Sequence, residues 1–401
     1  MSAGLRQLAV EGGAPLFAEP VRVGAPNRVD GERLATAIRQ VIDRRRLTND
    51  GPLAREYEER LGELCGAHAV LVVNGTAALL VAGRALGLSG RIAVPSWTFV
   101  ASVHAVSLLG AEPVFVDVDE SHTMDPLALE RIAAAGAIDG VMPVHLFGGA
   151  CDIEAIGLQA AGMDVPVLYD GAQALGTTIR DHPIGRFGTA SAFSLHATKW
   201  MSAIEGGFIT TEDAALAEEC RRRRNFGIVG PDAVAMVGTN AKMSELHAAA
   251  GLVQLDRFDE LAAHNEACFA AYRAVLDPCP DVSLLDVGPT GTSARPYVAI
   301  ELAADRDVIL AALAAEGVDC RRYFFPGVHR FPPYADLPLV EPLPVTERLA
   351  AGCLALPTGD QLTPSDARRI GELVVELATA SPERRRSWDV VRSHRDEVVL
   401  P

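Results

Sequence analysis

An amine can form a Schiff base with an aldehyde or a ketone, and this 401-residue chain keeps only two lysine amines, Lys199 and Lys242, among its 36 lysines and arginines. Arginine serves wherever charge alone is wanted, so a lysine that survives in such a chain points to chemistry that arginine cannot perform. Lys199 lies in FSLHATKWMSAIEGGFITT, between two apolar runs of strand length and among small and polar residues. Asp170 ends another such run, VPVLYD, with Gln173 three residues further on. Asn74-Gly75-Thr76 follows an earlier run, AVLVV, as a strand-to-helix turn whose backbone N–H groups would point at an anion from a helix N-terminus. An amine, a carboxylate and a phosphate cup are the set that pyridoxal phosphate requires. The acid faces the pyridine nitrogen and keeps it protonated, so that electrons from a Cα–H bond can flow into the ring. Singly, each feature has a plain reading, Lys199 as a surface charge and Asp170 or the turn as a helix cap; the constellation sets them apart.

These groups need a scaffold that brings strand ends together. Apolar runs at 69–73, 91–95, 112–118, 140–146, 165–170, 190–195 and 206–211 alternate with helical stretches, which predicts βα units and a largely parallel, doubly covered sheet. In such sheets ligands bind at the carboxyl ends of the strands, where the turn at 74–76, Ser96, Asp170 and the Lys199 segment all fall. No G-x-G-x-x-G follows the first strand and no G-x-x-x-x-G-K-[ST] occurs, so the dinucleotide and P-loop fingerprints are missing. The spacing predicts one long helix over 244–276, then a strand at 296–301, helices at 306–316 and 364–379, and a Pro- and aromatic-rich loop at 323–344. The fold expected is α/β: an N-terminal arm over 1–30, a large cofactor-binding domain over 31–255, and a smaller C-terminal α+β domain over 256–401. The basic run Arg221 to Arg224 reads as a solvated helix face, and the charged tail after 380 has no evident partner.

Composition narrows the partners. With 36 basic against 52 acidic residues, the net charge of −16 repels nucleic acids and anionic membranes. The seven cysteines are scattered and contain no C-x-x-C, so neither a zinc site nor a disulfide framework is read, and no metal is expected. With no apolar run of membrane length and no secretory leader pattern, the chain is expected to be cytoplasmic.

The runs VVNGTAAL, VPSWTFVAS, PVHLFG, DGAQALG, FSLHATK, EGGFITT, RNFG, GTNAKMSE and RRYFFPGVHRFPPY, in this order, resemble the DegT/StrS-type nucleotide-sugar aminotransferases over roughly residues 10–375. The resemblance implies a fold-type I enzyme dependent on pyridoxal 5'-phosphate, with the pyridoxamine phosphate form alternating in turnover. Lys199 would hold the cofactor and shuttle a proton, and Asp170 would pair with the pyridine nitrogen. Gln173 would sit near the phenolic oxygen, Gly75, Thr76 and Ser194 would bind the phosphate, and Phe99 would stack on the ring. Asn240 would reach the cofactor of a neighbouring subunit, which implies a homodimer with shared sites. Tyr323 and His329 resemble positions that approach the sugar, and Lys242 is either a contact to the substrate's phosphates or a solvated charge. The sequence departs from the family at Gly171, where many relatives have alanine, and at Ala241-Lys242, where many carry an aromatic followed by arginine.

The GGAPLF…VGAPNRVD and GTNAKMSE segments resemble the branch that aminates C4 of dTDP-4-keto-6-deoxyglucose, with L-glutamate as donor, in deoxyaminosugar and antibiotic biosynthesis. A related sugar dehydratase of this fold carries histidine in place of the lysine, so Lys199 favours amino transfer. The alternatives are the same reaction on a 3-keto sugar nucleotide or a cyclitol ketone, and a non-catalytic sugar-nucleotide binder on the same scaffold.

Overall fold

A computed structural model describes residues 6–286, 291–303 and 305–392 of the chain. Among these, the short apolar runs form β1 (His68–Val72), β2 (Arg91–Pro95), β3 (Glu112–Val116), β4 (Gly140–Val141), β5 (Leu168–Asp170), β6 (Ala190–Ser194) and β7 (Gly207–Thr211). Ladders order them β3-β2-β4 and β5-β6-β7-β1. Parallel bridges from Val141 to Val167 and from Val144 to Asp170 join the two halves into one sheet. β7 runs antiparallel to β6 and β1, whereas the other paired strands are parallel. The sheet is therefore mostly parallel, and its strands are buried along nearly their whole length because helices cover both faces.

The intervening segments form α1 (Gly31–Arg44), α2 (Pro52–Cys65), α3 (Gly75–Ala85), α4 (Val100–Leu108), α5 (Pro126–Ala135), α6 (Ile153–Met163), α7 (Ala214–Arg223) and α8 (Glu245–Leu255). Side-chain caps start several of them: Asp30, Asn74, Asp125, Asp152, Asp213 and Ser244 each accept a backbone N–H of the first turn. Two glycines matter for close approach. A Cβ on Gly207 would lie 2.5 Å from the backbone carbon of Asn74, and one on Gly75 would lie 2.9 Å from Cβ of Ser194. The turn after β1 is thus pressed against the ends of β6 and β7 without room for a side chain.

The stretch read as one helix over 244–276 is two, α8 and α9 (Phe258–Leu276). The break falls at Asp256-Arg257. Asp256 is drawn to Arg60 at 2.8 Å and to Arg33, while Arg257 pairs with Glu260 at 2.7 Å. The chain turns here into the second layer, formed by α9, β8 (Val282–Leu284), β9 (Val298–Leu302), α10 (Arg306–Ala315), α11 (Pro344–Gly352), β10 (Cys353–Leu356), α12 (Pro364–Thr379) and α13 (Pro382–Arg392). Its antiparallel sheet, β8-β9-β10, packs with α9, α10 and α12 around Tyr272, Ile300, Leu313 and Val374.

The N-terminal arm is less irregular than its glycines and prolines suggest, because it joins this second core. Leu8 is fully buried there, and Val21 pairs with Val318 in a short parallel bridge. The fully buried carboxylate of Glu316 accepts hydrogen bonds from Arg6 (2.6 Å) and from the backbone of Ala9 (2.7 Å) and Leu16 (2.8 Å), so the arm supplies the donors that a buried charge needs. The charged tail also gains structure in its first part: Arg384 pairs with Glu11 at 2.7 Å and Trp388 is buried. Residues 393–401 of that tail lie outside the described residues. Among the described residues, no helix is long and apolar enough to cross a membrane.

The basic run at 221–224 is only half a solvated face. Arg222 and Arg223 make i,i+4 pairs with Glu218 and Glu219. Arg224 is buried instead and donates to Glu58 at 2.7 Å and to the carbonyl of Leu71 at 2.6 Å, while Arg221 takes the other oxygen of Glu58 at 2.7 Å. Glu58 also accepts the N–H of Leu71 at 3.0 Å, so this cluster clamps β1 just before the turn at 74–76. Removing one partner of such a pair strands the other charge. Arg224→Leu is expected to cost about 3–5 kcal/mol, against about 0.5 kcal/mol or less for Arg222→Leu, read as the difference in urea midpoints.

Candidate functional site

The polar groups at the strand ends line one cavity of about 500 Å³. Asp170 closes β5 and is 5% exposed. One of its oxygens accepts from Ser102 Oγ of α4 at 2.7 Å, the other from the N–H of Ala172 at 3.0 Å. Burial pushes its carboxyl up from the ordinary range, and the Ser102 hydroxyl, the Ala172 N–H and the charge of Lys199 oppose that push. Lys199 sits in the loop between β6 and β7, its backbone N–H turned onto the carbonyl of His196 at 2.8 Å. Burial lowers its pKa from 10.5, and the nearby Tyr323 and Asp170 act in the other direction. Its Nζ lies 3.4 Å from the hydroxyl of Tyr297. Burial forces the Tyr297 phenol upward, so it meets the amine as a neutral hydroxyl.

Gln173 is buried, and its amide is oriented by the chain: Oε1 accepts the N–H of Phe147 at 3.0 Å, which leaves the NH₂ end to face the cavity that Gln173 lines. Gly75 and Thr76 open α3. Asn74 caps the N–H of Ala77 at 2.8 Å, while the first N–H groups of a helix have no partner within it. With the Ser194 hydroxyl on the same wall, this is an anion cup at a helix N-terminus. Phe99 stands before α4 with 59% of its surface exposed, on the cavity rim, where a large ring awaits something flat. The set fits pyridoxal phosphate part by part: a cup for the phosphate, an acid, an amine, an amide and a ring face, in a space of suitable size.

His145 also lines the cavity. It stacks on Tyr169 with centroids 4.5 Å apart, and its Nδ1 accepts the N–H of Cys151 at 3.1 Å. Full burial carries its pKa down to about 3, so the ring is neutral.

Lys199, Asp170, Gln173, Gly75, Thr76, Ser194, Phe99 and Tyr323 are thus brought together. Three other sequence candidates are not. His329 is buried away from the cavity, its Nδ1 2.6 Å from Ser96 Oγ and its Nε2 2.8 Å from Glu347; it fastens the Pro/aromatic loop to the large sheet instead of approaching a substrate. Asn240 and Lys242 lie outside the cavity, bonded to each other at 2.6 Å, with Lys242 also over the ring of Phe226 at 4.7 Å. Ser102 and Tyr297 are site residues that the sequence reading did not single out. A serine inside a helix and a tyrosine before a strand carry no local signature, and only the fold places them.

Comparisons with known proteins agree with this geometry. Residues 28–375 match the DegT/DnrJ/EryC1/StrS aminotransferase family. The chain is 32% identical to dTDP-4-amino-4,6-dideoxy-D-glucose transaminase of Shigella dysenteriae, over 86% of this chain and 95% of that one. It is 33% identical to dTDP-3-amino-3,4,6-trideoxy-alpha-D-glucose transaminase of Streptomyces venezuelae, over 85% and 91%. Its fold superposes on the crystal structure of DesI in the presence of its TDP-sugar product with a TM-score of 0.89, at 40% identity, covering 98% of this chain and all of that one. The architecture is that of fold-type I enzymes and the cofactor is pyridoxal phosphate. The chain belongs to the DegT/DnrJ/EryC1/StrS aminotransferase family.

Proposed function

We propose that the enzyme moves an amino group from L-glutamate to C4 of a dTDP-4-keto-6-deoxyhexose, in the cytoplasm, as a step of deoxyaminosugar biosynthesis. The observation that carries amino transfer is the half-buried Lys199 amine and the buried Asp170 carboxylate on the walls of one cavity with a phosphate cup. The nucleotide sugar is supported by the names of the Shigella and Streptomyces relatives, and C4 by the Shigella one together with the C4-branch motifs. Since the Streptomyces relative is a 3-amino-sugar enzyme of similar identity, a 3-keto sugar nucleotide is the second reading. The seven free, buried thiols suit a reducing compartment.

Bound pyridoxal phosphate supplies the electron sink that lets a Cα–H bond ionise. The chain's residues then have separate tasks. Asp170, held by Ser102 and Ala172, would pair with the pyridine nitrogen. The NH₂ of Gln173 would serve the cofactor's phenolic oxygen, Gly75, Thr76 and Ser194 would hold its phosphate, and Phe99 would pack on its ring. Lys199 would hold the cofactor, and its Nζ would carry the proton. Tyr297 gives that free amine a neutral partner.

We assign the large domain to residues 31–255 and the small one to 256–401, with 1–30 as the arm. We further propose a homodimer in which Asn240 serves the partner's site. Its support is an exposed apolar surface on the segment leading to Asn240, including Phe226, Ile228, Val229, Val234 and Val237.

Two outcomes are expected. Incubated with pyridoxal phosphate, L-glutamate and dTDP-4-keto-6-deoxyglucose, the protein yields a sugar nucleotide aminated at C4, identified by mass spectrometry and NMR. Amination at C3 of a 3-keto analogue, with the 4-keto sugar untouched, would move the substrate to the second reading. In Lys199→Ala, turnover is abolished and borohydride no longer fixes the cofactor to the protein; turnover at the wild-type rate would refute the assignment of Lys199.

A further inference from the structure

Asp170 is held at both carboxylate oxygens, and the two holds differ in kind. Oδ1 accepts the N–H of Ala172 at 3.0 Å, a bond that comes with the backbone of the turn after β5. Oδ2 accepts the hydroxyl of Ser102 at 2.7 Å, from a residue 68 positions earlier, so this bond depends on one side chain. Ser102 is fully buried and does not stand on the wall of the Lys199 cavity. Thr98, buried as well, does line that wall, and its Oγ1 lies 2.9 Å from Ser102 Oγ.

A hydroxyl carries one proton, so the direction of these bonds can be worked out. Ser102 Oγ has two neighbours that only accept, the Asp170 carboxylate at 2.7 Å and the Phe99 carbonyl at 3.2 Å. The shorter contact, to the charged group, is the stronger one and takes the proton. Thr98 must then donate to Ser102, and the chain runs from the Thr98 hydroxyl through the Ser102 hydroxyl to Asp170. That order holds only while Asp170 is ionised. A proton on Oδ2 would make the carboxyl the donor to Ser102 Oγ, and the serine proton would have to turn to another acceptor, such as the longer contact to Phe99. Ser102 also belongs to the first turn of α4, the end of a helix that favours a nearby negative charge. Burial pushes the Asp170 carboxyl up, and the Ser102 hydroxyl is the largest of the influences that hold it down, ahead of the Ala172 N–H and the Lys199 charge.

We propose that Ser102, backed by Thr98, is the positioning residue that keeps Asp170 ionised and fixes the plane of its carboxylate for the cofactor's pyridine nitrogen. This assignment rests on the proposed role of Asp170 and adds to it the side chains that make the role possible in a buried place. Ser102 acts through Asp170 alone. With one donor at each oxygen, the carboxylate is held against rotation, and each oxygen keeps a further lone pair with which to accept.

Two probes separate this role from mere packing. 4-Deoxypyridoxine 5'-phosphate keeps the cofactor's pyridine ring, phenol and phosphate but has no aldehyde, so Lys199 cannot bond to it. Its counterpart with carbon in place of the ring nitrogen leaves Asp170 nothing to pair with. Both are titrated calorimetrically into the cofactor-free, full-length protein. In Ser102→Ala the dissociation constant of the nitrogen probe should rise about 10- to 100-fold, as for loss of a hydrogen bond to a charged group. That of the carbon probe should stay within about twofold. Thr98→Val, which removes only the hydroxyl behind Ser102, should shift the nitrogen probe in the same direction by less, and it reports even if Ser102→Ala folds poorly. Ser102→Thr, which keeps the hydroxyl, should bind the nitrogen probe as the wild type does. An unchanged constant for the nitrogen probe in Ser102→Ala overturns the proposal. So does an equal loss for both probes, which would make Ser102 a packing residue of the cavity. If the wild-type protein binds the two probes equally, the pairing of Asp170 with the ring nitrogen fails and the proposal with it. Binding of neither probe defeats the cofactor reading itself, and this is seen before any variant is made.

Discussion

An amine and a carboxylate share one water-poor cavity, and burial penalises the charge of both. It pulls Lys199 down and pushes Asp170 up, and each charge partly sustains the other. The chain treats the two unequally. Asp170 receives two hydrogen bonds, from Ser102 and Ala172, which favour its ionised form. Lys199 receives one long contact from a neutral phenol. The outcome is an amine biased toward its neutral, nucleophilic form beside a carboxyl whose upward shift is opposed by its hydrogen bonds and by the lysine charge. Lys199 is thus displaced in the direction its proposed task requires, and the hydrogen bonds to Asp170 work in the direction that its own requires.

The rest of the fold serves that pair. The large sheet delivers Asp170, the Ser194 end of β6 and the turn at 74–76 to one rim, because parallel strands share one carboxyl end. The Glu58 cluster fixes β1 immediately before the turn, and glycines at 75 and 207 let three strand ends touch. The second layer closes the site with Tyr297, beside the Lys199 amine, and Tyr323. Its placement depends in part on the buried Glu316, which gathers the N-terminal arm. The cavity is therefore a joint product of two packed cores, and a change in how they meet alters the surroundings of Lys199.

Much of this was legible before the fold was known, for identifiable reasons. The near absence of lysine singled out Lys199, and strand-length runs followed by polar residues placed Asp170 and the phosphate turn. Gln173 and Ser194 came from motif resemblance, and the geometry gives both a place on the cavity wall. What stayed hidden depends on distant contacts. Ser102 and Asp170 are 68 residues apart and Lys199 and Tyr297 are 98 apart, with no periodicity to connect them. The inward turn of Arg224 also escaped, since a run of four arginines looks solvated until Glu58 is found beneath it. His329 misled for the opposite reason: a histidine in a loop rich in aromatics resembles a ligand contact, but both of its nitrogens are used for packing the loop. The helix break at Asp256-Arg257 was invisible because Asp256 is held there by Arg33 and Arg60, from distant segments.

The reactivity of Lys199 is set by burial and the Asp170 charge together. It can be tested in cofactor-free protein by following capture of an uncharged aldehyde, trapped by cyanoborohydride, against pH. Peptide mapping separates Lys199 from Lys242, the other lysine in the chain. Capture needs the neutral amine, so the rate rises as pH passes through the lysine pKa. Burial should bring that midpoint at Lys199 below the ordinary 10.5. In Asp170→Asn the carboxylate no longer favours the ammonium, so the midpoint should fall further. A wild-type midpoint at or above 10.5, or one that Asp170→Asn leaves unmoved or raises, would contradict the account.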